Sequence, residues 1–285
     1  MIKFGGIQDE YAAYQSASIL LQSIPYDGTS TWGKGADEGF PAFIEASENM
    51  ELYDIETDSE VYRKGIHIPS AITENATPER VYQTVFEQTN TLLETGKYLT
   101  FMGGEHSVSI GIIDAFRLRF KDLTVLQLDA HADLRPTYLG SAYNHACALH
   151  KASLETNLIQ VGIRSMDSCE KPFVNPHKVF LAESIHATSD WIDKSIELMS
   201  NDVYLTIDLD VLDPSIMPAT GTPEPGGLDW FTTIRYLKKV FACKNVVGFD
   251  IVEFAPIMGL TYPNFLVAKL YYKLLSYKFD KTDRL

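Results

Sequence analysis

The sequence predicts an α/β protein of three α/β/α layers, with a mainly parallel central sheet between two layers of helices. Three observations carry this reading. Short apolar runs alternate with longer segments of helical period, and the runs are apolar at successive positions, as strands buried on both faces must be. No Pro/Ser/Gly-rich linker and no internal repeat of about 20–50 residues interrupts the alternation. A single domain spanning residues 1–285 is therefore expected.

Taken in order, the predicted strands are Ile19 to Ile24, Tyr98 to Met102, Leu123 to Leu128, Leu158 to Ile163, Val203 to Ile207 and Val246 to Ile251. Each is rich in Val, Ile, Leu or aromatic residues, which suit a buried pleated surface. The predicted helices are Pro78 to Thr95, Ser107 to Phe120, Ser189 to Met199, Trp230 to Phe241 and Asn264 to Leu275. Pro78 fits a first helical turn with Thr77 as its N-cap, and Asp229 can cap the helix that follows it. In parallel sheets of this kind ligands bind at the carboxyl ends of the strands.

Composition narrows the partners. The chain has 24 Lys+Arg against 38 Asp+Glu, a formal charge of −14, with 45% apolar and 22% charged residues. That balance fits a globular core and excludes a disordered chain. It also repels phosphate backbones, and no basic cluster reverses it, so nucleic acid is excluded as a partner and cationic small molecules or metal ions are favoured. No run approaches the roughly 18 apolar residues of a membrane span. Met1 leads into Gln8, Asp9 and Glu10 with no apolar signal region, so a soluble, cytoplasmic protein without membrane partners is expected. Cys147, Cys169 and Cys243 have neither the number nor the spacing of a disulfide framework or thiolate zinc site.

Three predicted strands end in the same unusual way. Tyr98 to Met102 runs into Gly103-Gly104-Glu105-His106-Ser107, where the glycines permit a tight turn and His106 falls at the sheet edge. Alone, Glu105, His106 and Ser107 read equally well as helix-start residues. The strand at Leu128 continues as Asp129-Ala130-His131-Ala132-Asp133, and the one at Ile207 as Asp208-Leu209-Asp210. If the chain stays extended, residues two apart point to one side, so each set converges.

Burying an unpaired carboxylate costs several kcal/mol. Four of them follow strands made of Val, Leu and Ile, and the neighbouring sequence offers only Arg135 as a counter-charge. Metal cations resolve the imbalance. Asp129, Asp133, Asp208 and Asp210 with His106 and His131 form a hard oxygen and imidazole set whose four negative charges match two divalent ions. Mn2+ suits such a set, and ligand type leaves Zn2+, Co2+ and Fe2+ open. Paired ions activate a shared water, so the chemistry implied is hydrolysis.

These motifs resemble the ureohydrolase family of arginases and agmatinases, most closely the bacterial agmatinases. The matching pieces are Gly103-Gly104-Glu105-His106-Ser107, Asp129-Ala130-His131-Ala132-Asp133, the run Asp208 to Pro214, the run Pro218 to Pro223, and Asp250-Ile251-Val252-Glu253, with Pro25 to Ser30 extending the match. The resemblance implies the arginase/deacetylase-like fold and two Mn2+ ions per chain. It places one ion on His106, Asp129, Asp133 and Asp208, and the other on Asp129, His131, Asp208 and Asp210. It further implies that Glu253 pairs with a guanidinium, that His145 shuttles a proton, and that Asp133 belongs with them in the catalytic set.

The loop Leu134 to Tyr143 is short and resembles agmatinase loops, so agmatine, cleaved to putrescine and urea, is the expected substrate. Arginase, guanidinobutyrase, formiminoglutamase and aminopropylagmatine ureohydrolase activities are alternatives. Tyr138, Tyr143 and Thr222 join Glu253 and His145 as expected substrate contacts, the tyrosines through apolar, hydroxyl or cation–π contacts. Asp213 reads as a turn residue and Asp250 as structural, while His67, His150, His177 and His186 carry no motif. The segment Pro256 to Asn264 departs from the agmatinase pattern and is expected near the active-site rim or a subunit contact. The family also implies a homo-oligomer, a trimer or hexamer. A metallo-deacetylase and a non-catalytic scaffold are the competing classes, and Glu253 together with the complete ligand set weighs against both.

Overall fold

A computed structural model describes residues 2–280; Met1 and residues 281–285, which belong to the expected 1–285 domain, lie outside it. Among the described residues, eight strands form one sheet: β1 (Ile19–Ile24), β2 (Ile66–His67), β3 (Tyr98–Gly103), β4 (Thr124–Leu128), β5 (Asn157–Ile163), β6 (Val179–Leu181), β7 (Asp202–Asp208) and β8 (Asn245–Val252). The order is β2-β1-β3-β8-β7-β4-β5-β6, and every neighbouring pair is parallel. All six predicted strands are present. The two extra ones, β2 and β6, are the edges of the sheet and too short to display a hydrophobic period.

The helices are α1 (Asp9–Ala12), α2 (Gly39–Ser47), α3 (Pro78–Leu93), α4 (Val108–Arg119), α5 (His150–Glu155), α6 (Ala182–Ala187), α7 (Trp191–Glu197), α8 (Trp230–Cys243) and α9 (Tyr262–Phe279). The five predicted helices are α3, α4, α7, α8 and α9. The two predicted caps form: Thr77 accepts from the Arg80 amide, and Asp229 from that of Thr232. Helix α9 opens at Tyr262 rather than Asn264, because Pro263 fits a first helical turn. Helix α2 is absent from the sequence reading since Gly39 and Pro41 look like breakers. Pro41 sits in its first turn, and a Cβ on Gly39 would lie 2.5 Å from the Phe254 carbonyl oxygen.

Alternation along the strands divides the core. Ile19 and Leu21 of β1, with Leu205 and Ile207 of β7, pack in a cluster with Phe43 of α2, Ile196 of α7, Leu237 of α8 and Leu274 of α9. Leu20, Phe101 and Tyr204 face the other way, against Val85 of α3 and Ile112 and Phe116 of α4. Each such side chain contributes about 1.5–3 kcal/mol on burial, so the two faces of the sheet dominate stability. No helix among the described residues is long and apolar enough to cross a membrane.

One buried charge cluster lies away from the sheet ends. Lys273 of α9, 7% exposed, reaches Asp54 Oδ2 at 2.9 Å and also bonds Glu56. Glu56 is further held by Lys238 of α8 at 3.1 Å and by the Tyr277 hydroxyl at 2.8 Å. Glu56 is pushed both ways: burial raises its pKa, but hydrogen bonds from Lys273, Tyr277 and Lys238 win and hold it at about 2. Asp54, Glu56, Lys238 and Lys273 border a groove of 1410 Å³ that is also lined by Thr261, Tyr262 and Asn264 of the atypical segment. Those three therefore line a groove that none of the expected metal or substrate residues borders.

Candidate metal centre

The strand order brings the carboxyl ends of β3, β8, β7 and β4 side by side. After β3 the chain turns through Gly104, where a Cβ would lie 1.9 Å from the Tyr26 carbonyl oxygen, so only glycine fits. The Glu105 amide donates to that same oxygen at 2.8 Å, and the turn drives His106 inward to 1% exposure. Asp129 follows β4 and is fully buried, while Asp208 closes β7 and Glu253 follows β8.

Convergence of the ligands does not come from an extended chain, as the spacing suggested. Leu209–Val211 form a 3₁₀ turn capped by Asp208, whose Oδ1 accepts from the Asp210 amide at 3.0 Å. Asp133 has a left-handed backbone, φ 54°. Turns at the strand ends, rather than pleating, aim these carboxylates.

His106 Nδ1 lies 3.1 Å from Asp129 Oδ2, 3.1 Å from Asp133 Oδ2 and 3.4 Å from Asp208 Oδ2, yet makes no hydrogen bond. Its other ring nitrogen, Nε2, is 3.0 Å from Thr206 Oγ1. That hydroxyl donates its own proton to Asp250 Oδ1 at 2.6 Å, so it can only accept from His106. Nε2 therefore carries the proton of the neutral ring, and the bare Nδ1 lone pair faces three carboxylate oxygens. A cation placed among them satisfies every one of these donors.

His131 Nδ1 lies 2.9 Å from Asp210 Oδ2 and 3.7 Å from Asp129 Oδ1. Donor atoms of His106, Asp129 and Asp208 fall close enough together to hold one ion, and those of Asp129, His131 and Asp210 a second, so Asp129 is common to both. Asp133 joins the first group through His106. Two candidate metal-binding clusters thus make up one binuclear centre.

Electrostatics at these residues favour a cation. Burial raises Asp129 to about 7, with Asp210 and Asp133 adding repulsion, and it raises Asp208 well above the carboxylate range. Burial opposes protonation of His106, but Asp129, Asp133 and Asp208 overcome it and raise its pKa strongly. His131 rises to about 11 in the same way, chiefly through Asp210. Asp210 is burdened by burial yet held low by His131. Among the described residues no Lys or Arg side chain pairs with any of the four aspartates, and Arg135 pairs with Asp167 instead, at 3.3 Å. Buried carboxylates and imidazoles set together without lysine or arginine suit divalent cations, whose binding displaces protons from such groups.

Glu253 Oε1 accepts from the His106 amide at 2.8 Å. Burial, and then Glu105, raise its pKa well above the usual range. Its φ is 63°, and with Asp133 it accounts for two of the four non-glycine residues of positive φ among the described residues. Strain of this kind collects at functional sites. His145 opens a 3₁₀ turn, and burial lowers its pKa against the pull of Asp133.

The other expected contacts are distributed unevenly. Tyr138 stands edge-on to His145, ring centres 6.0 Å apart, but the Arg135 guanidinium covers its ring at 4.5 Å. Tyr143 stacks on Tyr82 of α3 at 4.3 Å, so that face is used in packing. Thr222 is exposed beside Gly221, where a Cβ would meet Glu253 Oε2 at 3.4 Å. Cys147 is buried and burial pushes its thiol up to about 12, which disfavours a nucleophilic thiolate there. Asp213 is the turn residue expected, accepting from Ser215, Gly226 and Gly227 amides.

Sequence reasoning missed the residues that hold the ligands. Gln127 Nε2 donates to Asp129 Oδ2 at 2.7 Å, and Arg164 binds the Asp210 and Glu224 carbonyls at 2.6 and 2.8 Å. Asp250, read as structural, is fully buried and fixes His106 through Thr206, with the Tyr204 hydroxyl on its other oxygen at 2.7 Å. The signal was available: Gln127, Thr206 and Asp250 are polar residues inside otherwise apolar strands.

Residues 17–276 match the model of the Arginase family. The chain is similar to the N(1)-aminopropylagmatine ureohydrolase of Synechocystis sp., 34% identical over 277 residues, covering 93% of this chain and 90% of that protein. It is 30% identical to the agmatinase of Bacillus subtilis, with 86% of each covered. The crystal structure of agmatine ureohydrolase of Thermoplasma volcanium superposes with a TM-score of 0.85 at 30% identity, covering 98% of this chain and 95% of that one.

Proposed function

The chain belongs to the arginase family and is a metal-dependent amidinohydrolase, and from that premise we propose that it hydrolyses N(1)-aminopropylagmatine to urea and a triamine. The observation that carries the substrate is the 34% identity, over 93% of the chain, to a relative of that name. Agmatine, which the loop sequence suggests, is the second reading, favoured by the 30% identity to agmatinases. An amine-tailed substrate also suits the site's charge. Glu224 lies 3.8 Å from the outer nitrogen of His131, and no Lys or Arg among the described residues pairs with it.

In this reading His106, Asp129, Asp133 and Asp208 would hold one Mn2+ ion, and Asp129, His131, Asp208 and Asp210 the other. When bound, such ions supply Lewis-acid activation of water at neutral pH. The protein does the rest. Glu253 pairs with the guanidinium through charge-assisted hydrogen bonds and holds the reacting carbon beside the centre. Asp133 keeps its carboxylate beside His106 Nδ1, at 3.1 Å. His145 carries a proton to the departing amine. Tyr138, Tyr143 and Thr222 border the tail. The reading includes a single domain over residues 1–285, acting in the cytoplasm as a homo-oligomer, trimer or hexamer, which sizing in solution checks.

The test is urea release by Mn2+-loaded protein from N(1)-aminopropylagmatine, agmatine, arginine and guanidinobutyrate. The highest kcat/KM is expected on the first. A higher value on agmatine selects the second reading, and no urea from any of them, in a sample carrying two metals per chain, overturns both.

A further inference from the structure

The loop after β1 carries a buried hydroxyl that the proposed chemistry has not used. Thr29, 8% exposed, accepts from the His145 amide at 3.0 Å, and its Oγ1 lies 3.1 Å from His145 Nδ1. The loop is fixed at several points. The Tyr26 carbonyl accepts from Glu105, its backbone packs on Gly104, and Asp27 Oδ2 accepts from the Gly35 amide at 2.7 Å. Thr29 is thus as well placed as a strand residue.

A threonine hydroxyl has one proton and two lone pairs, so one oxygen can accept the His145 amide and still bond the ring at Nδ1. Thr29 Oγ1 therefore holds His145 at two points, its main chain and its ring.

We propose that Thr29 is a positioning residue for His145: its hydroxyl engages Nδ1, so that Nε2 is the ring nitrogen left to exchange the reaction's proton. Water adds to the guanidinium carbon, forming a C–O bond, and the C–N bond to the amine breaks. Nε2 takes one proton of the water and passes it to the departing nitrogen; the second leaves the oxygen as the C=O of urea forms and ends on the amine, which departs as its ammonium. Without Thr29 the ring is free to turn away from the departing nitrogen. The inference rests on the ureohydrolase reading and adds to it a residue outside the metal ligands.

Thr29→Val removes the hydroxyl and keeps the shape, and Thr29→Ser restores it. The expected result is a kcat lowered about 10–100-fold in Thr29→Val, with KM changed less than about twofold and two metals still bound per chain. Thr29→Ser is expected within about threefold of wild type. Thr29→Ala serves as the second variant if the valine form fails to fold. A wild-type kcat in Thr29→Val, or equal impairment of the serine and valine forms, overturns the inference and leaves the ureohydrolase reading standing. No urea from the wild type on any guanidino compound overturns that reading and this inference with it.

Discussion

Two acidic clusters in this protein meet different counter-groups and behave in opposite ways. Asp54 and Glu56 meet Lys273, Lys238 and Tyr277 between α8 and α9, and the internal cations hold Glu56 down at about 2. Among the described residues Asp129, Asp133, Asp208 and Asp210 have only His106 and His131 as ion-pair partners, and burial raises Asp129 to about 7 and Asp208 well above the carboxylate range. The first cluster supplies its own counter-charge and is structural. The second sets four carboxylates together with no lysine or arginine paired to them among the described residues, and that deficit, rather than the acids themselves, marks it as the functional site.

The contrast can be broken at either end. Asp129→Asn removes the ligand common to both metal groups, and urea release is expected to fall by about a thousandfold with loss of bound metal by elemental analysis. A variant that kept both ions and its turnover would end the distinction. Lys273→Met leaves Asp54 buried without its cation, at a cost of about 3 kcal/mol, moderated because Glu56 is partly exposed. Its urea-denaturation midpoint should drop while metal content per folded chain stays the same; a fall in metal content would join the two clusters.

Glu253→Gln keeps the acceptor that holds the His106 amide and removes the charge. We expect kcat/KM for the guanidino substrate to fall about 10–100-fold with both metals retained. Unchanged turnover would remove Glu253 from substrate binding. The smallest effect is in acid. Glu56 is depressed from 4.5 to about 2, so its contribution to stability is complete above about pH 4.5 and is lost as the pH falls toward 2. Denaturation midpoints taken across that window should fall less steeply in Lys273→Met than in wild type, and parallel slopes would assign the acid response elsewhere.

Much of this was legible in the residues. All six strands and five of the helices follow from hydrophobic period, and the ligand types at the strand ends from their sequence spacing. The ligand-holding residues were not, because a polar residue in an apolar strand shows that a partner exists without showing which. Thr206 and Asp250 pair across β7 and β8, 44 positions apart. The geometry of Asp208-Leu209-Asp210 was also misread, since spacing alone cannot distinguish an extended chain from a 3₁₀ turn. Tyr138 illustrates the same limit: an aromatic near the site is visible in sequence, but the arginine covering it is not.

The sequence by itself determined the chemistry on offer: hard carboxylate and imidazole donors, too few local cations, and strands that must be buried on both faces. It did so because charge, ligand type and hydrophobic period are local properties. Only the tertiary structure decided that β3, β8, β7 and β4 stand side by side, so that residues 106, 253, 208 and 129 share one edge. It also decided which acids receive a lysine and which do not. Pairing of parallel strands depends on crossovers through distant helices, and a counter-charge acts by distance in space rather than along the chain.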